Sequence, residues 1–218
     1  MILRASAVVA ALGGMLLGTS VWAVPIAVTN HSFEAPDVSS GGNTWSDVNL
    51  NWGDDAGASG DEFTEMIAGF AADGLQHTGV QAMSSLMQDL GDTYAARTRY
   101  TLSVGVGNRA NFTSAGNQTI VRLADATDGS ILAESIFDAS LIPVGAFEDR
   151  SLSYITGAAG GSIGNAIRIE LAVGDAAFGR AHFDNVRLDA TVIPEPGAIV
   201  LLGLGLLGVA ARTWRRRS

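Results

Sequence analysis

Apolar and polar positions alternate in short runs along the middle of the chain. In residues 100–106 an apolar side chain occupies every second position, the period of two that a half-buried strand requires. Similar runs follow at residues 151–156, 166–173 and 181–188. The pair Asp128-Gly129 separates two further apolar runs and predicts a tight hairpin turn. Short strands joined by turn signals predict an all-β fold, an antiparallel jelly-roll sandwich.

Residues 79–90 are ambiguous. Helical spacing, which predicts a short helix, relates Val80, Met83, Leu86, Met87 and Leu90. The same stretch also fits a strand interrupted by a bulge. Both structures stay open at this point.

The N-terminus has the pattern of a secretory signal peptide. Arg4 precedes an apolar run over residues 5–17, and the small residues Val21 and Ala23 suit cleavage after Ala23. The run is shorter than the roughly 20 residues that span a membrane as a helix. We therefore predict that residues 1–23 form an N-terminal signal helix that directs export.

The C-terminus has the pattern of a marginal membrane span. Residues 197–211 are apolar, and a helix of that length reaches about 22 Å across a hydrocarbon core of about 30 Å. The basic tail, residues 212–218, carries Arg212, Arg215, Arg216 and Arg217. Because such clusters stay in the cytoplasm, we predict a hydrophobic transmembrane helix with the preceding domain on the far side of the inner membrane.

The whole C-terminal segment resembles a known sorting signal. Pro194-Glu195-Pro196, the apolar span and the arginine cluster together look like the PEP-CTERM signal of Gram-negative bacteria. The resemblance implies processing near the motif by the membrane enzyme exosortase, and a link to exopolysaccharide and biofilm. It predicts a transiently anchored inner-membrane form and then a place at the cell surface or in the extracellular matrix. The chain divides accordingly into residues 1–23, 24–191 and 192–218.

Two motifs at the ends of the central domain carry a second resemblance. The stretch NHSFE that begins at Asn30, and DNVRL that begins at Asp184, are similar to those of galactose-binding-like jelly rolls, which include many carbohydrate-binding modules. The resemblance implies that the two motifs meet in space and that Glu34 and Asp184 share a structural calcium. Calcium takes six to eight oxygen ligands, so two carboxylates form only part of a site. The alternative is that Glu34 caps a turn and Asp184 hydrogen-bonds across the strand end.

The charge balance limits the classes of partner. Between the two ends, eight arginines accompany 21 carboxylates, a net charge of −13. Such a surface repels phosphate backbones and argues against nucleic-acid binding, whereas it suits neutral partners and metal cations. The chain has no cysteine, which excludes disulfides and thiolate metal sites.

Trp45 and Trp52, with asparagines nearby, are candidates for ligand binding. Flat indole rings stack on the apolar faces of sugars, and amides bind the hydroxyl groups. Tryptophans of a sandwich also serve as core residues, and that alternative stays open.

Three other patterns predict ordinary structure. Residues 160–164 match G-x-S-x-G, but an alternating strand follows where the nucleophile elbow needs a helix, so we expect a hairpin loop. The acidic stretch at residues 53–62 lacks the spacing of a helix-loop-helix calcium site and predicts a solvated loop. His31, His77 and His182 are far apart without a second ligand at metal-binding spacing, and His182 is expected to be an ordinary strand residue.

Together these patterns predict an exported, non-enzymatic surface or matrix protein that binds exopolysaccharide. It requires no cofactor, and structural calcium is a candidate. The alternative is a polysaccharide-active hydrolase or lyase with a sandwich fold. Such an enzyme needs two carboxyl groups about 5–10 Å apart across a cleft, and no pair in the sequence stands out for that role.

Overall fold

The computed structural model describes residues 22–39, 44–54, 62–81, 83–110, 114–174 and 179–194, with Gly197, Gly203, Gly205 and Arg212. These residues form strands and two short 3-10 helices, Gly116–Gln118 and Ala139–Leu141. In chain order the strands are β1 (Val24–Ile26), β2 (Trp45–Ser46), β3 (Gly53–Asp54), β4 (Glu62–Met66), β5 (Gln76–Gln81), β6 (Ser85–Thr93), β7 (Thr98–Asn108), β8 (Thr119–Asp125), β9 (Ile131–Phe137), β10 (Ala146–Ile155), β11 (Ala166–Val173) and β12 (Arg180–Val192).

The described strands form two antiparallel sheets. The larger sheet has the order β10-β7-β12-β5-β4-β2, and β1 pairs with β12 beside this path. The smaller sheet has the order β3-β6-β11-β8-β9. Several neighbouring strands are far apart in the chain, as β7 and β12 are, which is typical of a jelly-roll sandwich. The predicted all-β antiparallel sandwich is confirmed.

The core lies between the two sheets. Its members are the apolar residues at alternate strand positions, which point to one side of each sheet. The larger sheet contributes Leu102, Val104, Val106, Phe183 and Leu188, and the smaller sheet contributes Leu86, Leu123, Ile167, Ile169 and Leu171. Every second residue of the larger sheet therefore points away from the core, onto an outer face.

Several sequence patterns have the predicted structure. The alternating residues 100–106 lie in β7, and Ala166–Val173 is a strand over its predicted length. Asp128-Gly129 lies in the turn between β8 and β9, where Gly129 has a φ of 75°. The two terminal motifs also meet, because the backbone N–H of Val186 donates to the carbonyl of His31 at 2.9 Å.

For residues 79–90 the structure decides between the two open alternatives, and for residues 160–164 it differs from the expected hairpin loop. Most of residues 79–90 belong to β5 and β6 rather than to a helix, because Val80 and Leu86 each point into the core from a strand. The glycine-rich residues 160–164 are a turn but do not close a hairpin. They connect β10 of the larger sheet to β11 of the smaller one, so the flanking strands do not pair.

The predicted terminal helices fall almost wholly outside the described residues. This applies to the signal helix at residues 1–23 and to the hydrophobic helix at residues 197–211, of which three glycines are described. Within the described part of the chain, no helix has both the length and the apolar character needed to cross a membrane.

Candidate functional site

A row of residues crosses the outer face of the larger sheet at one register. Phe63 of β4 pairs with Gly79 of β5, Gly79 pairs with His182 of β12, and His182 pairs with Gly107 of β7. Gly107 in turn pairs with Phe147 of β10. Paired residues share a face of the sheet, so His182 lies between two glycines and two aromatic rings.

The two glycines make room for the rings. A Cβ atom on Gly79 would lie 2.2 Å from Cζ of Phe63, and one on Gly107 would lie 2.7 Å from the ring of Phe147. Both rings therefore fold flat over glycine backbone. Phe70, from the segment before β5, covers the row and packs against Phe147 with ring centroids 4.5 Å apart.

Glu65 and two histidines form a buried polar cluster in this layer. Glu65 pairs with His77 across β4 and β5, and Nε2 of His77 lies 3.1 Å from Oε1 of Glu65. Nδ1 of His182 lies 3.6 Å from the same oxygen. His77 is 0 % and His182 2 % exposed. The nearest donor atoms of the three side chains all lie within 4.8 Å of one another.

The histidine rings have unused polar atoms. Among the described residues, Nδ1 of His77 and both ring nitrogens of His182 lack a hydrogen-bond partner. Burial, helped by the nearby positive charges of Arg109 and Arg180, holds the pKa of His182 well below its usual range. His182 is therefore neutral at physiological pH.

Two arginines flank the cluster. Nη1 of Arg109 donates to Oε1 and Oε2 of Glu65 at 2.6 and 2.7 Å. The guanidinium of Arg180 lies over the Phe63 ring, 5.0 Å from its centroid. Burial also lowers the pKa of Arg180. Oε1 of Glu65 thus lies close to Arg109 and to both histidines.

A groove opens beside this cluster on the same outer face. Its volume is about 450 Å³, and its lining includes Gly105, Phe147, Glu148, Asp149 and Asn185. Phe147 belongs to both features, since it lines the groove and packs on Phe70, whose ring contacts His77 at 4.9 Å between centroids. The cluster therefore lies behind the groove wall formed by Phe147 and supports it through the Phe70 ring.

Hydroxyl groups continue the outer face of β7 and β10 beyond the groove. Ser103 and Ser151 are paired with their oxygens 2.8 Å apart, and Thr101 and Ser153 are paired at 3.3 Å. These pairs are exposed and follow directly from Gly105 and Asp149 in the strand register. The groove thus leads onto an exposed strip of hydroxyl groups that can donate and accept hydrogen bonds.

Glu34 and Asp184 hold the segment that precedes β5. Oε1 of Glu34 accepts the backbone N–H groups of Leu75 and Gln76 at 2.7 and 2.8 Å. Oδ2 of Asp184 accepts those of Ala72 and Asp73 at 2.6 and 2.9 Å. This arrangement matches the capping alternative, and the calcium site stays a prediction.

The two tryptophans have different surroundings. Trp45 is 57 % exposed and pairs with Glu65 in the strand register, which places it on the outer face at the edge of the sheet. Trp52 is 7 % exposed, packs on Phe33 at 5.3 Å between centroids, and donates from Nε1 to the carbonyl of Asn30. Trp52 is a core residue, so no ring face is left for a ligand there.

Sequence reasoning missed the Glu65-His77-His182 cluster. Its members are too far apart in the chain for any metal-binding spacing, and only the pairing of β4, β5 and β12 brings them together. One signal was present: His182 and Asp184 fall at polar positions within the apolar alternation of β12. The sorting residues Glu195, Pro196, Arg215, Arg216 and Arg217 lie outside the described residues, while Pro194 and Arg212 are described.

The family of the central domain follows from a match over nearly all of the sandwich. A family model described as HpiC1 cyclase matches residues 24–189. The chain belongs to the HpiC1-like cyclase family. A second model, the PEP-CTERM protein-sorting motif, matches residues 192–217 and confirms the sorting signal. This HpiC1-like protein is thus exported and sorted to the cell envelope of a Gram-negative bacterium.

Solved structures with the same fold come from Fischerella. A Stig cyclase from Fischerella sp. TAU, in complex with a pyrrolidinylidene-indole, has a TM-score of 0.67 at 21 % identity, covering 79 % of this chain and 100 % of that one. Another cyclase from that organism has a TM-score of 0.65 at 20 % identity, covering 80 % and 100 %. At this identity the likeness shows the fold alone. The comparison with curated proteins returned no match.

Proposed function

We propose that this HpiC1-like protein is a non-catalytic, exported envelope or matrix protein that binds a neutral polysaccharide, such as the cell's own exopolysaccharide, in the outer-face groove. The observation that carries the proposal is the groove of about 450 Å³ beside Phe147, which continues onto the hydroxyl strip. Ligand sites commonly combine an apolar wall with a few polar groups that fix orientation. Phe147 supplies the wall, while Asp149 and Asn185 supply the polar groups.

The charge of the domain supports a neutral ligand. A net charge of −13 between the chain ends repels anionic polymers. Carboxylates accept hydrogen bonds from sugar hydroxyl groups without needing a charged partner. A neutral glycan therefore fits the groove better than a uronic-acid or phosphate polymer.

The arrangement of the groove carboxylates supports binding without hydrolysis. Glu148 and Asp149 are consecutive in β10, so their side chains leave opposite faces of the strand. Each one also forms an ion pair, Glu148 with Arg150 at 2.8 Å and Asp149 with Arg187 at 2.6 Å. Glycoside hydrolysis uses two carboxyl groups that face each other across the scissile bond.

The sorting route completes the proposal. The signal peptide directs export, the apolar span anchors the chain briefly in the inner membrane, and exosortase cleaves near Pro194. Described strand β12 ends at Val192, directly before the motif. Cleavage there would leave the sandwich intact and release it to the surface or matrix.

A second candidate function is cyclisation, the reaction that the name of the family suggests, with a buried carboxyl group as the acid. The observation favouring it concerns Asp184. Burial raises the pKa of this carboxyl group to about 7, although hydrogen bonds from backbone N–H groups oppose the shift. A carboxyl group with that pKa can donate a proton near neutrality. Asp184 is fully buried, however, and its oxygens accept three backbone N–H groups, so binding ranks first.

A glycan array probed with the purified protein, followed by product analysis, separates the two candidates. The binding proposal expects retention of neutral glycans with no change in their length or mass after prolonged incubation. Shortened or unsaturated glycans would replace it with the hydrolase or lyase. A protein that retains no glycan, but cyclises an indole compound, would support the cyclase candidate.

A further inference from the structure

The cluster of Glu65, His77 and His182 has a feature that a plain hydrogen-bond network does not explain. Three ring nitrogens of two almost fully buried histidines lack hydrogen-bond partners among the described residues. Buried polar atoms without partners are costly, and native structures rarely retain them without a reason. The one that bears on a metal site is Nδ1 of His182, which faces Oε1 of Glu65 at 3.6 Å without a hydrogen bond.

The separations between the side-chain atoms are close to those in a zinc site. Bonds of about 2.0–2.2 Å from a tetrahedral zinc ion to nitrogen and oxygen place neighbouring ligand atoms roughly 3.3–3.6 Å apart. The separations from Oε1 of Glu65 are 3.1 Å to Nε2 of His77 and 3.6 Å to Nδ1 of His182. With the three donor atoms within 4.8 Å of one another, only a single ion fits between them.

We propose that Glu65, His77 and His182 bind one divalent transition-metal ion, with zinc as the best-suited metal. Two imidazoles and one carboxylate form a common zinc ligand set. Calcium and magnesium prefer all-oxygen ligands and would not use the two histidines.

The flanking arginines shape the site rather than supply ligands. Arg109 contacts both oxygens of Glu65 and thereby orients the carboxylate toward the histidines. A ligand carboxylate is commonly held by such an outer hydrogen bond. The charges of Arg109 and Arg180 oppose a cation, so the site depends on strong nitrogen donors and selects zinc over hard cations.

The bound ion would join three strands behind the groove. Glu65 lies in β4, His77 in β5 and His182 in β12, and the Phe70 ring contacts both histidines. A metal there stabilises the layer on which Phe147 rests. This inference does not depend on glycan binding, because metal content is measured without any glycan.

Metal analysis of refolded protein tests the proposal directly. The full-length protein is refolded with and without zinc chloride, dialysed, and analysed by elemental mass spectrometry and thermal unfolding. We expect one zinc ion per chain and a melting temperature that rises with zinc and falls with a chelator, because a ligand of the native state stabilises it. The variant His182→Gln should lose the zinc, while His31→Gln, which alters the third and exposed histidine, should retain it.

Histidine NMR keeps the test valid if the His182 variant fails to fold. Long-range ¹H–¹⁵N spectra of the wild-type protein report the ring nitrogens of all three histidines. Zinc should shift two imidazoles and leave the third unchanged. Absence of stoichiometric zinc after refolding, or a shift confined to His31, would overturn the proposal.

Discussion

The outer-face row depends on glycine at two strand positions. Replacing Gly79 with alanine would place Cβ 2.2 Å from Cζ of Phe63, a buried ring that is covered by the guanidinium of Arg180. We expect Gly79→Ala to lower the free energy of unfolding by about 1–3 kcal/mol, as overpacking does. Chemical denaturation measures this loss.

Gly91→Ala is the matched control for that change. Gly91 is also in a strand, β6, but a Cβ atom there meets no atom within 4 Å. The control should stay within about 0.5 kcal/mol of the wild type. Equal losses in both variants would mean that ring packing over Gly79 is not the cause.

His182 also makes stability depend on pH. Its pKa is well below the usual value in the folded protein, whereas in the unfolded chain it titrates near about 6.5. Below that pH the unfolded state binds a proton that the folded state does not, so stability contributed by neutral His182 is lost as pH falls. The slope from this group is at most about 1.4 kcal/mol per pH unit.

The raised pKa of Asp184 gives a slope of opposite sign between its ordinary value and about 7, where stability falls as pH rises. Asp184 contributes equally to the wild type and to His182→Phe, so its contribution cancels when the unfolding free energies of the two proteins are subtracted. In metal-free protein, the difference in unfolding free energy between the two should shrink from pH 7 to pH 5. A difference that stays constant over this range would contradict a neutral, buried His182.

At the scale of elements, the segment that covers the outer face is held by carboxylates at both of its ends. Asp184 binds the N–H groups of Ala72 and Asp73, and Glu34 binds those of Leu75 and Gln76. This segment also presents Phe70 to the histidines. Its position therefore determines both the covered cluster and the edge of the groove.

Replacing Asp184 with asparagine should loosen this segment, because the amide group cannot accept all three backbone N–H groups. Hydrogen exchange at Ala72 and Asp73 should accelerate by roughly tenfold or more. Asp189→Asn, on the same strand, is the control and should leave these amides unchanged. If exchange accelerates equally in calcium and in chelator, Asp184 acts by accepting these N–H groups. If these amides are protected only when calcium is present, the predicted calcium site is established.

The elements that the sequence predicted best are those with a clear local signal. A few neighbouring residues are enough to determine the alternation in β7 and β11, and the same holds for the Asp128-Gly129 turn. Residues 79–90 carry both a period of two and a helical spacing, and only packing of Val80 and Leu86 into the core decides between them. The cluster of Glu65, His77 and His182 depends on pairing between distant strands, which local periodicity cannot reveal.

At the scale of the whole molecule, the HpiC1-like sandwich is followed directly by the sorting segment, residues 192–217. If exosortase processing occurs near Pro194, the mature protein should lack Arg215, Arg216 and Arg217. Intact-mass spectrometry of protein from the native envelope measures this. Finding the arginine tail on most molecules would instead indicate a permanent membrane anchor.

The central claim is that a neutral glycan binds in the groove of the outer face. Asp149 and Asp89 offer a matched pair for testing it, because each is exposed and paired with an arginine, yet only Asp149 lines the groove. The most direct measurement is isothermal titration of the best array glycan into wild type, Asp149→Ala and Asp89→Ala. We predict that Asp149→Ala weakens binding about tenfold, the effect of a lost charge-assisted hydrogen bond of about 1.4 kcal/mol, while Asp89→Ala binds like the wild type. Equal affinities in all three proteins would place the ligand elsewhere and contradict the account.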